Sequence, residues 1–225
     1  MKLNKHNFKE YGARVLKWGY QPLSITRENF QPDNSLLPIL GIKYPKPKPM
    51  ELVVEFSQQR LMSDFIAEIL KNDMNLLDLD DGYLYKCWMP ILNNPVEEPA
   101  WGWYSVTIPF LVIQTAAERA IPLKKLKNDV IVQGNWECEC RYEITLKSNE
   151  TSFTVDGIIV KDIRANQKLV IDGVEKRIYT GDSVNKYSDA ILRNNRFPVL
   201  SPGPQSIQIS STTHDAWLYY QPIYV

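Results

Sequence analysis

The stretch that most restricts what this chain can become is "NWECECRYEITLKS", residues 135–148. Trp136, Cys138, Cys140, Tyr142, Ile144 and Leu146 fall on one side of an extended backbone. Glu137, Glu139, Arg141, Glu143, Thr145 and Lys147 fall on the other. Side chains of a strand alternate between its two faces, so this pattern predicts a strand with one buried and one wet face. Such strands belong to antiparallel sheets. The same signal recurs along the chain. "ELVVEF" (51–56) alternates, and "WYSVTIPFLVIQ" (103–114) reads as a strand in which Pro109 marks an edge or a bulge. "LLDLDDGYLYKCWM" reads as two strands around an Asp81–Gly82 turn. "FTVDGIIV" and "KLVIDGVEKRIY" carry the hairpin turns Asp156–Gly157 and Asp172–Gly173, and "SIQISS" and "AWLYYQPIYV" supply the last strands.

One helix interrupts the pattern. In "SQQRLMSDFIAEILKND", Leu61, Met62, Phe65, Ile66, Ile69 and Leu70 recur at helical spacing, which predicts a helix over about 57–71 with Ser57 as N-cap and that apolar face in the core. At "AIPLKKLKND" (120–129) a proline and a lysine cluster break the run of strands, and no helix is needed beyond it. A chain of 225 residues has room for two domains. The fold class is therefore mainly β with one helix. Residues 1–122 form a β-barrel-like domain carrying that helix, and residues 123–225 form an antiparallel β-sandwich.

Few residues suggest chemistry. The two histidines, His6 and His214, are far apart, and neither a His-x-x-x-His nor a Cys-x-x-Cys spacing exists for zinc. "DLDDG" (78–82) lacks the register of a calcium loop and has Met89 where the twelfth-position glutamate belongs, so it reads as a solvated turn. There is no phosphate-binding glycine loop and no Gly-x-Ser-x-Gly elbow. No catalytic, cofactor-binding or metal site is assigned, and the chain reads as no enzyme. Cys87, Cys138 and Cys140 read as reduced structural thiols. The 26 basic and 26 acidic residues balance, which is unlike a nucleic-acid binder and leaves little repulsion between copies. "MKLNKHNFKEYGARVLKWGY" has no apolar core of a signal peptide, and "VTIPFLVIQTAA" is too short and polar to span a membrane. "YPKPKPM" (44–50) favours an extended, charged lead-in that blunts a sheet edge, and "WGW" (101–103) reads as a turn whose tryptophans pack on a core or a subunit contact.

The second half resembles a known family. "TVDGIIVKDIRANQKLVIDGVEKRIY", "NKYSDAILRNNRFPVLSPGPQSIQIS" and "WLYYQPIY" together resemble the distal tail (Dit) proteins of siphophages. The match is carried by the Ile-Asp-Gly hairpin, by a Phe-Pro-x-Leu-x-Pro-Gly turn and by an alternating strand pair that ends the chain. Phe197, Pro198, Leu200, Pro202, Gly203 and Ile207 stand at the pattern's positions, while Pro204 and Gln205 depart from it. The first half agrees in layout rather than in specific residues. The resemblance implies a structural virion protein of the phage tail tip, made in the bacterial cytoplasm. It implies a hexameric ring built by the N-terminal domains, with a galectin-like sandwich projecting outward. Its implied partners are the major tail tube protein, the tail-associated lysin or fibre protein, the tape measure protein and receptor-binding proteins. Genomic DNA would pass through the channel without specific binding. The alternative is a lectin-like adhesion module. For that, "THDAWLY" places His214 near Trp217 but lacks the Asn and Arg of a galectin strand.

Overall fold

The computed structural model describes residues 1–21, 25–30, 39–88, 102–181 and 183–225. Trp101 and Met89 lie outside the described residues. The chain divides into two compact units, Met1–Gln114 with Val225 and Thr115–Tyr224.

In the first unit the strands are β1 (Lys2–Leu3), β2 (His6–Asn7), β3 (Ala13–Tyr20), β4 (Ile25–Phe30), β5 (Ile39–Pro45), β6 (Lys48–Phe56), β7 (Asn75–Asp78), β8 (Leu84–Trp88) and β9 (Tyr104–Thr115). One sheet runs β2-β1-β7-β8-β9-β6-β3 and curls into a half-barrel, while β4 and β5 pair separately. Helix α1 (Gln59–Lys71) buries Met62, Phe65 and Ile69 against it. Phe65 is the centre of this core, with the rings of Phe8, Tyr11 and Phe56 at 5.3, 5.3 and 5.4 Å.

Four expectations change here. The helix cap is Gln58, in extended conformation and without a side-chain cap bond, rather than Ser57. The strand continues to Phe56, so helical dihedrals begin one residue later than the hydroxyl would need. Leu70 is exposed, because it lies about a quarter-turn beyond the Met62–Ile69 line. Pro109 sits in an interior strand without a bulge: the β6–β9 ladder is continuous from Lys48↔Val112 to Phe56↔Tyr104. Gln21 donates its N–H to Pro49 O, so the odd-numbered residues of β6 turn their backbone groups to β3, and Pro109, paired with Glu51, owes β6 no donor. Finally, the 44–50 stretch is no edge lead-in. Lys48 and Pro49 belong to β6, between β9 and β3, and the Lys48 ammonium is buried against Gln114 Oε1 at 3.1 Å.

The second unit contains β10 (Arg119–Leu123), β11 (Lys127–Val132), β12 (Cys138–Thr145), β13 (Glu150–Val155), β14 (Ile158–Ile163), β15 (Lys168–Asp172), β16 (Arg177–Thr180), β17 (Ala190–Ile191), β18 (Val199–Leu200), β19 (Gly203–Gln208) and β20 (Asp215–Tyr220). One sheet runs β10-β20-β12-β15-β16. The other combines β11-β19 with β13-β14-β17 through the Val155↔Ile209 bridge and the Asp156 N–H bond to Gln208 O (2.7 Å). Both sheets feed one core, with Cys140, Tyr142, Ile144 and Leu218 from the first and Phe153, Val155, Val160 and Ile207 from the second. This is a β-sandwich. The alternation of residues 138–146 is realised as written, with the cysteines, Tyr142, Ile144 and Leu146 inside. The division falls before β10 rather than after residue 122, because Arg119–Leu123 pairs along its whole length with Asp215–Tyr220.

Candidate functional site

The reactive side chains are engaged in structural work. His214 is fully buried. Its Nδ1 accepts the Lys147 N–H at 3.2 Å, and its Nε2 lies 2.8 Å from Glu150 Oε1. His6 is exposed beside Glu10. Burial pushes the Cys138 thiol up to about 11 and the Cys87 thiol to about 12, and drives Cys140 upward as well, so none offers a thiolate near neutrality. Around 78–82 the carboxylates turn onto their own loop. Asp78 Oδ1 accepts from the Asp80 N–H, Asp81 Oδ1 from the Tyr83 N–H and Asp81 Oδ2 from the Tyr85 hydroxyl. Gly82 takes φ +87° in this turn, which is longer than a two-residue hairpin because β7 ends at Asp78 and β8 begins at Leu84. Among the described residues, no three His, Cys, Asp or Glu side chains are arranged to hold a metal.

What the structure does assemble is a corner of the sandwich. Gly173 donates its N–H to Cys140 O at 2.9 Å, and Cys140 donates its own to Pro198 O at 3.3 Å. A Cβ on Gly173 would sit 2.5 Å from Pro198 O and 2.6 Å from Cys140 O. The Ile-Asp-Gly hairpin and the Phe-Pro turn are therefore packed backbone to backbone through β12. Gly173 serves this approach rather than a left-handed turn; in the loop it opens, the positive φ belongs to Lys176. Asp172 ends β15 and accepts from the Val174 and Glu175 N–H groups at 2.8 and 3.0 Å. By contrast, Asp156 and Gly157 (φ +47° and +78°) form the two-residue loop between Val155 and Ile158, as a primed turn requires.

The proline-rich segment then changes sheets. Val199 and Leu200 pair with Glu139 and Cys138 of β12, and Gly203 opens β19 opposite Val132 of β11. Gly203 has φ +94° with nothing within 4 Å of its missing Cβ, so it is required by dihedral alone. Pro198, Leu200 and Ile207 are buried, Phe197 packs against the core, and Pro202 is half-buried at the crossing. Asp156 sits beside this corner, with Arg193 Nη1 at 3.1 Å and the Tyr142 hydroxyl at 3.5 Å. Burial nonetheless raises its carboxyl above the usual range.

The structure separates the two galectin-like residues. His214 points into the core, whereas Trp217 lies on the outer face of the β10-β20-β12-β15-β16 sheet, between Pro122 and Glu143 in register. Its ring stacks beside Tyr219 (6.4 Å, 29°), and Arg141 lies over Tyr219 at 4.9 Å. Sequence reasoning missed the Gly173–Cys140–Pro198 contact and the groups gathered around Phe197. Their residues come from separate strands, and no local pattern links them.

No protein-family model matches the chain, and no curated protein matches it. Solved structures do. The crystal structure of SPP1 Dit (gp 19.1), described as a paradigm of the hub adsorption apparatus in phages infecting Gram-positive hosts, superposes with a TM-score of 0.77. It covers 99% of this chain and 98% of that one, at 10% identity. Chains of the phage P2 baseplate in its activated conformation with Ca and with Sr match at TM-scores of 0.56 and 0.53. Each covers 96% of this chain and 92% of the other, at 13% identity. At such identities the likeness is one of fold.

Proposed function

We propose that this chain is a structural virion protein, the distal tail hub of a long-tailed phage, and that it acts by assembly rather than catalysis. The observation that carries the reading is the fold match to SPP1 Dit across both units, at nearly full coverage of each chain. The chemistry is consistent with it: the histidines, thiols and turn carboxylates of the described residues serve the fold. In this reading the first unit, with its half-barrel and helix, builds a hexameric ring, and the second is the galectin-like sandwich that projects from it. The ring joins the tail tube to the lysin or fibre protein, with tape measure and receptor-binding proteins as further partners.

A ring needs a heterologous interface that closes, with upwards of ~1,000 Å² buried at each contact. Its channel must not hold the passing genome, so lumen-facing residues are neutral or acidic; a basic lining would grip phosphate. Native mass spectrometry of the purified chain, with and without its tube protein, tests the reading. Six-membered species in at least one sample are expected, and a strict monomer in both overturns it.

A second reading, adhesion to carbohydrate, is favoured by the exposed Trp217, stacked beside the half-buried Tyr219, with Arg141 and Glu143 next to it. Specific binding on a glycan array, abolished by Trp217→Ala, would support it. No binding, together with ring-shaped particles in negative stain, leaves the hub.

A further inference from the structure

The half-barrel sheet of the first unit has an outer face that its core does not use. Met50, Leu52, Val54 and Phe56 of β6 point inward to α1, so Pro49 and Glu51 point outward. With Pro109 and Leu111 of β9 and Lys17 and Gly19 of β3 they line an open groove of about 430 Å³. Gly19 supplies the space, since a Cβ there would meet nothing within 4 Å. Helix α1, which packs on the inner face, runs out into an exposed apolar tip, with Leu70 at 63% and Met74 at 55% exposure. The charges at these two places are uncommitted. Among the described side chains of the first unit, Glu51 and Asp73 are the two carboxylates with neither a hydrogen bond nor an ion pair, whereas Glu10, Glu55, Asp64, Glu68 and the turn aspartates are all engaged. Lys17 and Lys71 are likewise unpaired among the described residues, and all four charges but Glu51 flank Leu70, Met74 or Gly19 within two residues.

We infer that the α1 tip of one copy of this chain seats in the β3–β6–β9 groove of the next, with Leu70 and Met74 on Pro109 and Leu111, Asp73 against Lys17 and Lys71 against Glu51. The inference rests on the hub reading and names a contact from which its ring is built. Charge spacing selects the occupant. Gly19 pairs with Glu51 across β3 and β6, which makes Lys17 and Glu51 diagonal neighbours about 7 Å apart. Asn72 is extended (φ −112°, ψ 133°), which sets Lys71 and Asp73 on one side of the chain, also about 7 Å apart. A basic and an acidic group thus meet an acidic and a basic group at the same spacing. Geometry supplies the second argument. Groove and tip lie on opposite faces of one sheet, so two copies cannot fill both at once. Each copy needs a neighbour on either side, which is the heterologous contact of a ring. Seating the tip also takes Leu70 and Met74 out of water.

The test uses the full chain with engineered cysteines, under the conditions in which native mass spectrometry finds rings. The native thiols Cys87, Cys138 and Cys140 are buried, so they give little background. Gly19→Cys puts a thiol in the groove, where its Cβ is unobstructed, and Met74→Cys puts one on the tip. The two single variants, mixed before assembly and mildly oxidised, are expected to give disulfide-linked dimers. Neither variant alone should do so, and a chain carrying both cysteines should give a ladder of linked species up to the hexamer. Charge reversal is the second readout. Lys17→Glu and Asp73→Lys should each weaken ring assembly by about tenfold, and the two together in one chain should restore it, whereas Lys127→Glu in the second unit should change nothing. These three residues are exposed, so an unchanged Tm checks the fold. Rings without a mixed disulfide, cross-linking of either single variant by itself, or no recovery in the charge-swapped chain each overturn the contact and leave the hub standing. A strict monomer in every sample sinks the hub reading itself, and this contact with it.

Discussion

Gly173 and Gly203 show how one residue type serves two physical needs. At Gly173 the dihedral is ordinary and the space is closed by two backbone carbonyls; at Gly203 the space is open and the dihedral is left-handed. Backbone oxygens cannot swing aside as a side-chain tip can. Gly173→Ala should therefore lower Tm by clearly more than Gly203→Ala, for which strain of about 1–2 kcal/mol is expected. Thermal unfolding of the two variants side by side decides it; a larger loss at Gly203 would refute the close-approach account. Asp156 makes a pH prediction. Its folded-state carboxyl is raised by burial, against the pull of Arg193. The unfolded chain therefore releases this proton at lower pH than the folded one, and the group's contribution is lost as pH rises through the folded value. Asp156→Asn keeps a residue suited to the primed turn and removes the buried charge. It should raise Tm at pH 7 relative to the parent, with a smaller gain at pH 3. The reverse order would contradict the assignment.

At the scale of elements, the helix illustrates what periodicity can and cannot say. Its apolar repeat identified the element and most of its inner face, but it could not tell Ile69, which is buried, from Leu70, which is 63% exposed. Only the direction from which the sheet packs on α1 separates them. Phe65→Ala, which removes the ring at the centre of the cluster, should cost about 3–5 kcal/mol, whereas Leu70→Ala should be nearly neutral. Chemical denaturation of both variants measures the contrast. Pro109 carries the same lesson in a strand. Residue type alone argues for an edge, yet the pairing with Glu51, whose backbone groups face β3, leaves a place for proline inside the sheet. The Asp156–Gly157 hairpin was legible because its partners are sequence neighbours. The role of Gly173 was not, because Cys140 and Pro198 reach it from other strands.

For the whole molecule, the division before β10 has a measurable consequence. A fragment of residues 115–225 keeps Arg119–Leu123 along β20, with Leu123 in the core. A fragment of residues 123–225 exposes that edge of β20 and should unfold at clearly lower temperature. Equal stability would restore the later boundary. Shared architecture at 10% identity fits this balance, since a sandwich asks for alternation, turns and a filled core rather than particular residues. What the sequence by itself determined is local: the period-two strands, the one helix, the primed turn at Asp156–Gly157 and the rigid chemistry around Pro198 and Gly203. These follow from steric rules acting over a few neighbouring residues. The tertiary structure alone decided that β20 lies between β10 and β12, that Gly173 meets Pro198 across Cys140, and that Lys176, Arg177, Tyr187 and Phe197 enclose one cleft. Those pairings join residues distant along the chain, and their selection rests on the burial of a common core, which no short stretch of sequence encodes.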